Sequence, residues 1–310
     1  MISFAFRRLA LMVATMLVAS VILFLLFELE PDSVAVSVLG NYSTPEQREL
    51  WLQDNGYDRP AWERYLDWLG SFVSGDFGQS LSHGAPVASV VADRLSNTAL
   101  LAGLFFAVLI PLALVLGVVA GMNEGSLVDR IISIFCIAST SVPVFASTVF
   151  VSALFVFTLS VLPGTSSMLD GFSWREMVMP VLVLVLADVG YVARIVRASM
   201  ADVMQAPYMR TAWLKGIPRW RVILRHALRN ALIPPFTVVL LHINWLIAGI
   251  VVVEYFFAYK GFGSLLLEAA LARDLYLIEG CTILAVAITV GAQTLADVGY
   301  VLLNPRIRFQ

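Results

Sequence analysis

Five ionisable or amide side chains interrupt the most apolar stretches of this sequence, so they are the first residues to consider for chemistry. They are Asp188, His242, Asn244, Glu254 and Asp297. In the middle of a bilayer a carboxylate costs about 2.5 to 3.5 kcal/mol on insertion scales, so such side chains should face a protected or wet interior. Asp188 suits either the binding of a cationic group or a pair with an arginine of a neighbouring span.

The sequence lacks the motifs that would make these side chains catalytic or nucleotide-binding. It contains no GxxxxGK[ST] phosphate loop, no HExxH and no GxSxG. Cys136 and Cys281 lie in apolar runs without CxxC or Cys/His spacing. We therefore expect a chain that is not an enzyme and that binds no metal or cofactor.

The composition is typical of an integral membrane protein. Of 310 residues, 59% are hydrophobic and 14% are charged, against about 25% charged in an ordinary soluble domain. A helix crosses a bilayer with about 20 apolar residues, which predicts six spans. They cover residues 9–27, 98–122, 131–162, 178–192, 233–253 and 278–303. The third is too long for one straight span, so we expect a break near Pro143.

Lys and Arg residues beside the spans predict the orientation, because they stay on the cytoplasmic side. With the N-terminus inside, the cytoplasmic segments carry 13 of the 20 cations. The first apolar run is longer than the core of a secretory signal, so we expect a retained span. The sequence thus predicts cytoplasmic N- and C-termini and a long external segment between the first two spans.

The external segment contains two helix signals. Thr44 and Pro45 suit an N-cap and a first turn. A second helix is predicted from about Pro60, where apolar residues recur at helical spacing: Trp62, Tyr65, Leu66 and Leu69. This helix either lies along the outer headgroups or packs on the spans as a small cap.

The loop after the fourth span contains three residues that are typical of helix ends or helix starts. Pro207 should end one helix, Gly216 suits a C-terminal cap and Pro218 suits the first turn of the next helix. The pattern predicts a short helix, a turn and a longer amphipathic helix on the inner membrane surface. At 100° per residue, the apolar half of this helix consists of Trp220, Ile223, Leu224, Ala227, Leu228 and Ala231. The opposite half carries Arg219, Arg221, Arg225, His226 and Arg229. Anionic lipid headgroups would offset the repulsion among Arg221, Arg225 and Arg229.

Residues 208–216, Tyr-x-Arg-Thr-Ala-x-x-Lys-Gly, are followed by His-Ala-Leu-Arg-Asn-Ala-Leu-Ile-Pro at 226–234. Gly-Asp-Phe-Gly-Gln-Ser at 75–80 and Pro-Arg-Ile-Arg at 305–308 are further landmarks. Together they resemble the permeases of dipeptide, oligopeptide and nickel ABC importers, over nearly the whole chain.

The resemblance implies an all-α membrane protein with six transmembrane helices and the type I ABC importer permease fold. Residues 1–93 would contain the first transmembrane helix and the periplasmic segment. Residues 94–303 would form the permease core with a cytoplasmic coupling helix at about 207–217, and residues 304–310 the cytoplasmic tail.

The resemblance also implies roles for individual residues. Contacts with an ATPase subunit would come from Tyr208, Arg210, Thr211, Ala212, Lys215 and Gly216. The broader family pattern has Glu at the position of Arg210, and small side chains at 211 and 212 allow close packing. The last external loop would contact a periplasmic binding protein through Tyr255, Gly261, Gly263, Arg273 and Asp274. Asp188, His242 and Asn244 are candidates for the pathway, whereas Glu254 and Asp297 match family positions near span ends and are expected to be structural.

By this resemblance the chain is a non-catalytic permease subunit of an ATP-driven importer in the bacterial inner membrane. Its partners would be a second, homologous permease, two ATP-binding subunits that hold ATP and Mg, and a binding protein, with no nucleic acid. Short peptides are the favoured substrates, with nickel chelates, glutathione, opines and oligosaccharides as alternatives. An ion-coupled carrier, with Asp188 and Asp297 as proton sites, would leave the coupling motif without a role.

Overall fold

The computed structural model describes residues 2–28, 31–40, 42–169 and 171–303, and these residues are almost entirely helical. Among them are fourteen α-helices and one short hairpin. In chain order they are α1 Ile2–Glu28, α2 Pro31–Leu39, α3 Pro45–Asp54, α4 Ala61–Val73, β1 Gln79–Ser80, β2 Ala85–Pro86, α5 Val87–Met122, α6 Leu127–Ser141, α7 Val144–Ser152, α8 Trp174–Met204, α9 Pro207–Leu214, α10 Arg219–Val222, α11 Leu228–Ala231, α12 Ile233–Phe256, α13 Phe262–Ala272 and α14 Leu275–Leu303. The π-helical turns Ala153–Thr158 and Ile223–Ala227 follow α7 and α10.

The chain divides into two compact units. The first comprises the described residues of Met1–Thr98 and Lys260–Thr294. The second comprises those of Ala99–Tyr259 and Leu295–Gln310. Because α5 and α14 each run from one unit into the other, both units contain parts of long apolar helices.

In the first unit, both predicted external helices are confirmed. Thr44 caps α3, because its hydroxyl oxygen accepts from the Gln47 backbone amide. In return, the Thr44 backbone amide donates to the Gln47 side-chain oxygen. The second helix, α4, packs on the first span: the Tyr65 ring lies 5.4 Å from the ring of Phe24 in α1. The Tyr65 hydroxyl is also 2.8 Å from Ser20 Oγ. The structure therefore supports the packed cap.

In the second unit, the predicted break at Pro143 is confirmed. Val142 is extended, as expected before a proline, and α6 and the helix from Val144 to Thr158 meet at 104°. The described residues include four helices long and apolar enough to cross a membrane: Phe6–Leu26, Val87–Met122, Trp174–Met204 and Leu275–Leu295. The bent pair makes a fifth if its two arms form one span.

The predicted fifth span, residues 233–253, corresponds to α12, which has 24 residues. The side chains of residues 241 and 243–248 lie outside the described residues, so the count of six remains a prediction. The helices α5, α8 and α14 are longer than the apolar runs that predicted them. Helix α8 is extended at both ends, whereas α5 and α14 are extended only at their N-terminal ends, and the apolar pattern alone could not place those ends.

Helix α8 is the most buried helix of the second unit, and glycines bring its neighbours against it. A Cβ at Gly190 would lie 2.1 Å from the Cys136 carbonyl oxygen of α6, and one at Gly117 of α5 would lie 2.4 Å from Val196 Cβ. Small residues allow membrane helices to approach backbone to backbone, where dispersion forces replace the hydrophobic effect. The contacts of α8 with α5 and α6 therefore require these glycines.

We predict that Gly190→Ala lowers the stability of the chain, because its methyl group has no space against a backbone oxygen. Overpacking of this kind costs about 1 to 3 kcal/mol. The matched control is Gly103→Ala on α5, where a Cβ meets nothing within 4 Å. Thermal unfolding in detergent should show a lower midpoint for Gly190→Ala only. Equal midpoints for the two variants would contradict the tight contact.

Candidate functional site

A polar cavity of about 570 Å³ lies in the second unit beside the break at Pro143. It is bounded by the end of α6, the start of α7, the middle of α8 and one face of α12. The polar residues that line it are Thr140, Ser141, Asp188, Tyr191, Arg194 and His242. Two of the three predicted pathway residues, Asp188 and His242, are thus brought together by the fold. The side chain of the third, Asn244, lies outside the described residues.

Asp188 is one of the residues that line this cavity. Its side chain is 5% exposed, and Oδ1 lies 3.4 Å from His242 Nε2. This distance permits an ion pair when the imidazole is protonated. The Tyr191 and His242 rings are stacked with centroids 5.2 Å apart, and His242 Nδ1 lies 3.3 Å from the Val238 carbonyl oxygen. The residue that the described chain places beside the Asp188 carboxylate is a histidine, which sequence reasoning did not consider as its partner.

The position of Asp188 follows from the packing of α8. Gly190, two residues later, contacts α6 at Cys136, which fixes the rotation of this part of the helix. The hydroxyls of Thr140 and Ser141 donate to carbonyls of their own helix, at 3.0 Å to Cys136 and 2.7 Å to Ile137. Their oxygens can therefore still accept a hydrogen bond from a molecule in the cavity.

Glu254, a second intramembrane acid, is fully buried near the end of α12, where its backbone carbonyl accepts from the Tyr259 amide at 2.8 Å. Its structural role stays a prediction. The side chain of Asp297 lies outside the described residues, as does the tail from residue 304 onward.

An ion pair between α6 and α8 was not found by sequence reasoning. Arg197 donates to Asp129 through Nε at 2.5 Å and through a terminal nitrogen at 2.7 Å. The Gly125 amide and the Ser133 hydroxyl complete the partners of this nearly buried carboxylate. The available signal was an acid three residues after the Ser126 cap, but nothing in the sequence tells which arginine it meets.

The helix predicted to contact an ATPase forms as expected. The first turn of α9 contains Pro207, and Gly216 has φ +70°, a left-handed conformation that glycine adopts without strain. The next helix, α10, begins at Arg219 directly after Pro218. The loop thus has the predicted order of short helix, turn and second helix.

The faces of α9 differ from what its small residues suggested. Ala212 is buried with Met209 against Met200 and Val222 of the same chain, so it contributes to this chain's own core. Trp213 is partly buried and packs against the same cluster. The residues on the open side are Tyr208, Arg210, Thr211, Leu214, Lys215 and Gly216, and Leu214 is 81% exposed.

The second helix of the loop does not keep the predicted 100° spacing. In the turn Ile223–Ala227 the Leu228 amide donates to the Ile223 carbonyl, five residues back, which widens the turn. Val222 and Ala227 are therefore buried together, whereas Trp220 and Leu224 are exposed beside the arginines. The predicted apolar half is split into a buried part and an exposed part. The cations Arg221, Arg225 and Arg229 are all exposed.

The last external loop is more enclosed than expected. Of the residues assigned to binding-protein contact, Tyr255 and Arg273 are exposed, but Gly261, Gly263 and Asp274 are buried. Asp274 accepts bonds from the Ser80 and Ser82 hydroxyls at 2.7 Å each, and from the Ser82 amide at 2.9 Å. It also caps the start of α14 at the Leu277 amide. These bonds anchor the hairpin of β1 and β2 to the start of α14.

Trp68 and Glu279 form a second contact that sequence reasoning missed in this unit. The Trp68 indole donates to Glu279 at 3.0 Å and ties α4 to α14.

Among the residues that the structure describes, no three His, Cys, Asp or Glu side chains are grouped so that they could hold a metal ion.

Two family models match this chain. A model described as a binding-protein-dependent transport system inner membrane component matches residues 113–309, and the model for the N-terminal part of such components matches residues 1–102. The chain belongs to this family. It is an inner membrane permease component of a binding-protein-dependent ABC transport system with the type I importer fold, as the resemblance implied.

Relatives of the permease are similar over its whole length. It is 35% identical over 307 residues, 98% of both chains, to a protein of Brucella abortus (strain 2308) whose name assigns it provisionally as a peptide transport system permease. It is 31% identical over 312 residues, 100% of both chains, to the glutathione transport system permease protein GsiC of Escherichia coli (strain K12).

We predict that Arg197→Met destabilises the permease by about 3 kcal/mol, because it leaves the Asp129 carboxylate buried without its counter-charge. The matched control is Arg194→Met, one turn earlier on α8, where the exposed guanidinium donates only to its own helix at the Gly190 carbonyl. Thermal unfolding in detergent should show a large shift for Arg197→Met and a small one for the control. A double variant, Asp129→Leu with Arg197→Met, should recover most of the loss; failure to recover would contradict the pairing.

We also predict a pH dependence of the hairpin. Burial raises the pKa of Asp274, but the bonds from Ser82, Ser80 and Leu277 lower it more, so the pKa lies below its ordinary value. The stabilisation is therefore present above the ordinary carboxyl pKa of about 4 and is lost as the pH falls below it.

Amide hydrogen exchange of residues 79–86 should accelerate below about pH 4 beyond the intrinsic dependence. Asp274→Asn should expose these amides at neutral pH and remove the acid transition. The exposed Asp93→Asn serves as the control and should leave both unchanged. An acid transition that survives in Asp274→Asn would assign it to another group.

Proposed function

We propose that this permease is the membrane-spanning, non-catalytic subunit of an ATP-driven importer of short peptides. Two partner subunits would bind ATP and Mg, and a periplasmic binding protein would deliver the peptide. Family membership supports the import role. The names of relatives, a peptide permease and a glutathione permease, favour short peptides as the substrate.

The coupling contact would be the open side of α9. The observation that carries this proposal is Leu214, a large apolar side chain that is 81% exposed at the end of a short helix. It stands between Arg210, Thr211 and Lys215, so an apolar contact would be flanked by polar and cationic ones. An interface commonly has this arrangement, with an apolar centre and a polar rim.

The rigidity of α9 suits it to transmit movement. Its inner side is fixed by Met209 and Ala212 against Met200 of α8, so a displacement of α9 displaces α8 as well. Helix α8 in turn lines the cavity at Asp188. A displacement of α9 would therefore be passed to α8 and, along α8, to the wall of the cavity.

The remaining parts of the proposal concern placement and partners. The arginines Arg221, Arg225 and Arg229 would lie on anionic lipid of the inner leaflet, with both termini in the cytoplasm. A second, homologous permease would complete the pathway as a heterodimer. The exposed Arg273 and Tyr255 remain the candidates for contact with the binding protein.

We predict that Leu214→Asp abolishes ATP-dependent uptake, because a charge replaces the apolar centre of the contact. The matched control is Val73→Asp at the end of α4, where the side chain is 80% exposed. The test is uptake of labelled trialanine by proteoliposomes that contain both permeases and the ATPases, supplied with the binding protein.

Leu214→Asp should lose uptake and weaken co-purification of the ATPases, and Val73→Asp should keep both. Unchanged uptake in Leu214→Asp would remove α9 from the coupling path. Uptake by the wild type that needs a proton gradient but no ATP would instead support an ion-coupled carrier and overturn the proposal.

A further inference from the structure

The strongest unexplained feature of the permease is one oxygen atom of Asp188. Asp188 is residue 15 of the 31 in α8, so the carboxylate lies at the middle of a candidate span. Its side chain is 5% exposed. Within the described part of the chain, Oδ2 is buried and accepts no hydrogen bond. A buried acceptor without a donor is costly, and such atoms in native proteins call for a specific explanation.

His242 does not remove this deficit. Its Nε2 lies 3.4 Å from Oδ1, the other oxygen of the carboxylate. Stacking on Tyr191 and the contact with the Val238 carbonyl hold the ring in place. Oδ1 therefore has His242 beside it, whereas Oδ2 has no donor among the described residues.

The surrounding cavity has the size and charge of a site for a small zwitterion. Its volume is about 570 Å³, within the range of about 300 to 1,000 Å³ that is common for ligand pockets. Arg194 lines the same cavity six residues after Asp188. The rise along α8 between them is about 9 Å, and an extended tripeptide spans about 10 Å.

We propose that the Asp188 carboxylate binds the protonated α-amino group of a short peptide in transit, while Arg194 faces the carboxylate at the other end. This inference rests on the proposed function and names the part of the substrate that the permease itself recognises. Thr140 and Ser141 can accept from the peptide's amide groups, because their own protons are already donated within α6. The ammonium group supplies the donor that Oδ2 lacks.

The site would be selective for the free amino terminus. An ammonium group donates to the carboxylate with charge assistance, whereas an acetylated terminus is neutral and offers a single amide donor. Loss of the charge-assisted bond should weaken binding about tenfold or more. In the same way, amidation of the carboxyl terminus should weaken the contact with Arg194.

The test is photocrosslinking to the assembled complex of both permeases and the ATPases in lipid nanodiscs, without the binding protein. Leaving it out keeps its own selectivity from entering the measurement. The probe is a radiolabelled tripeptide, alanine-photoleucine-alanine, with free termini. Its crosslinking is competed with trialanine, N-acetyl-trialanine and trialanine amide.

For the wild type, N-acetyl-trialanine should compete about tenfold or more weakly than trialanine. Asp188→Asn, which keeps the shape of the side chain, should abolish that difference while it preserves the penalty for the amide. Arg194→Gln should do the reverse. The matched control is Asp202→Asn, an exposed acid on the same helix outside the cavity, and it should keep both differences.

Equal competition by free and acetylated peptide on the wild type overturns the proposal, whether or not Asp188→Asn folds. A preference for the free terminus that survives in Asp188→Asn also overturns it. The wild type could show no preference for the free terminus while Asp188→Asn prevents association with the second permease. That result overturns the proposal and indicates that Asp188 pairs with the second permease instead. Failure of the proposed function would look different, as a wild-type complex without ATP-dependent uptake in proteoliposomes.

Discussion

The contact of Gly190 with the Cys136 carbonyl is the constraint on which the second unit depends. With no side chain at 190, α6 and α8 approach until one backbone touches the other. Inside a bilayer there is little hydrophobic force between helices, so close packing and internal hydrogen bonds must supply the attraction. This contact sets the rotation of α8 and thereby decides which of its side chains face α6, which face the cavity and which are enclosed.

The two carboxylates that border this interface show what the rotation achieves. Near one end, Asp129 of α6 is bound by Arg197, the Gly125 amide and the Ser133 hydroxyl, so its charge is matched inside the chain. In the middle, Asp188 of α8 has one oxygen near His242 and the other without a donor among the described residues. The first carboxylate holds the helices together, and the second is left available. Two acids of the same type thus differ in role because of what lies opposite them.

The sequence predicted the helices, the break at Pro143, the cap at Thr44 and the order of the cytoplasmic loop, because each depends on neighbouring residues. It also predicted Asp188 and His242 as special, since polar residues are conspicuous in apolar runs. It could not predict that Arg197 meets Asp129, or that Asp274 meets Ser80 and Ser82, because those pairs are 68 and more than 190 residues apart. The buried position of Ala212 and the π turn after α10 were missed for a related reason. Both depend on how the loop packs on α8, which local spacing does not contain.

The break between α6 and α7 also limits how the cavity can change shape. At Val142 and Pro143 the regular helical bonds stop, so the carbonyls at the end of α6 and the amides at the start of α7 have no partners within their own helices. Lipid tails cannot satisfy such groups, whereas protein or water can. A movement that closes the cavity must therefore supply each of these backbone groups with another partner. The cost of leaving these groups without partners therefore opposes full closure of the cavity at the bend.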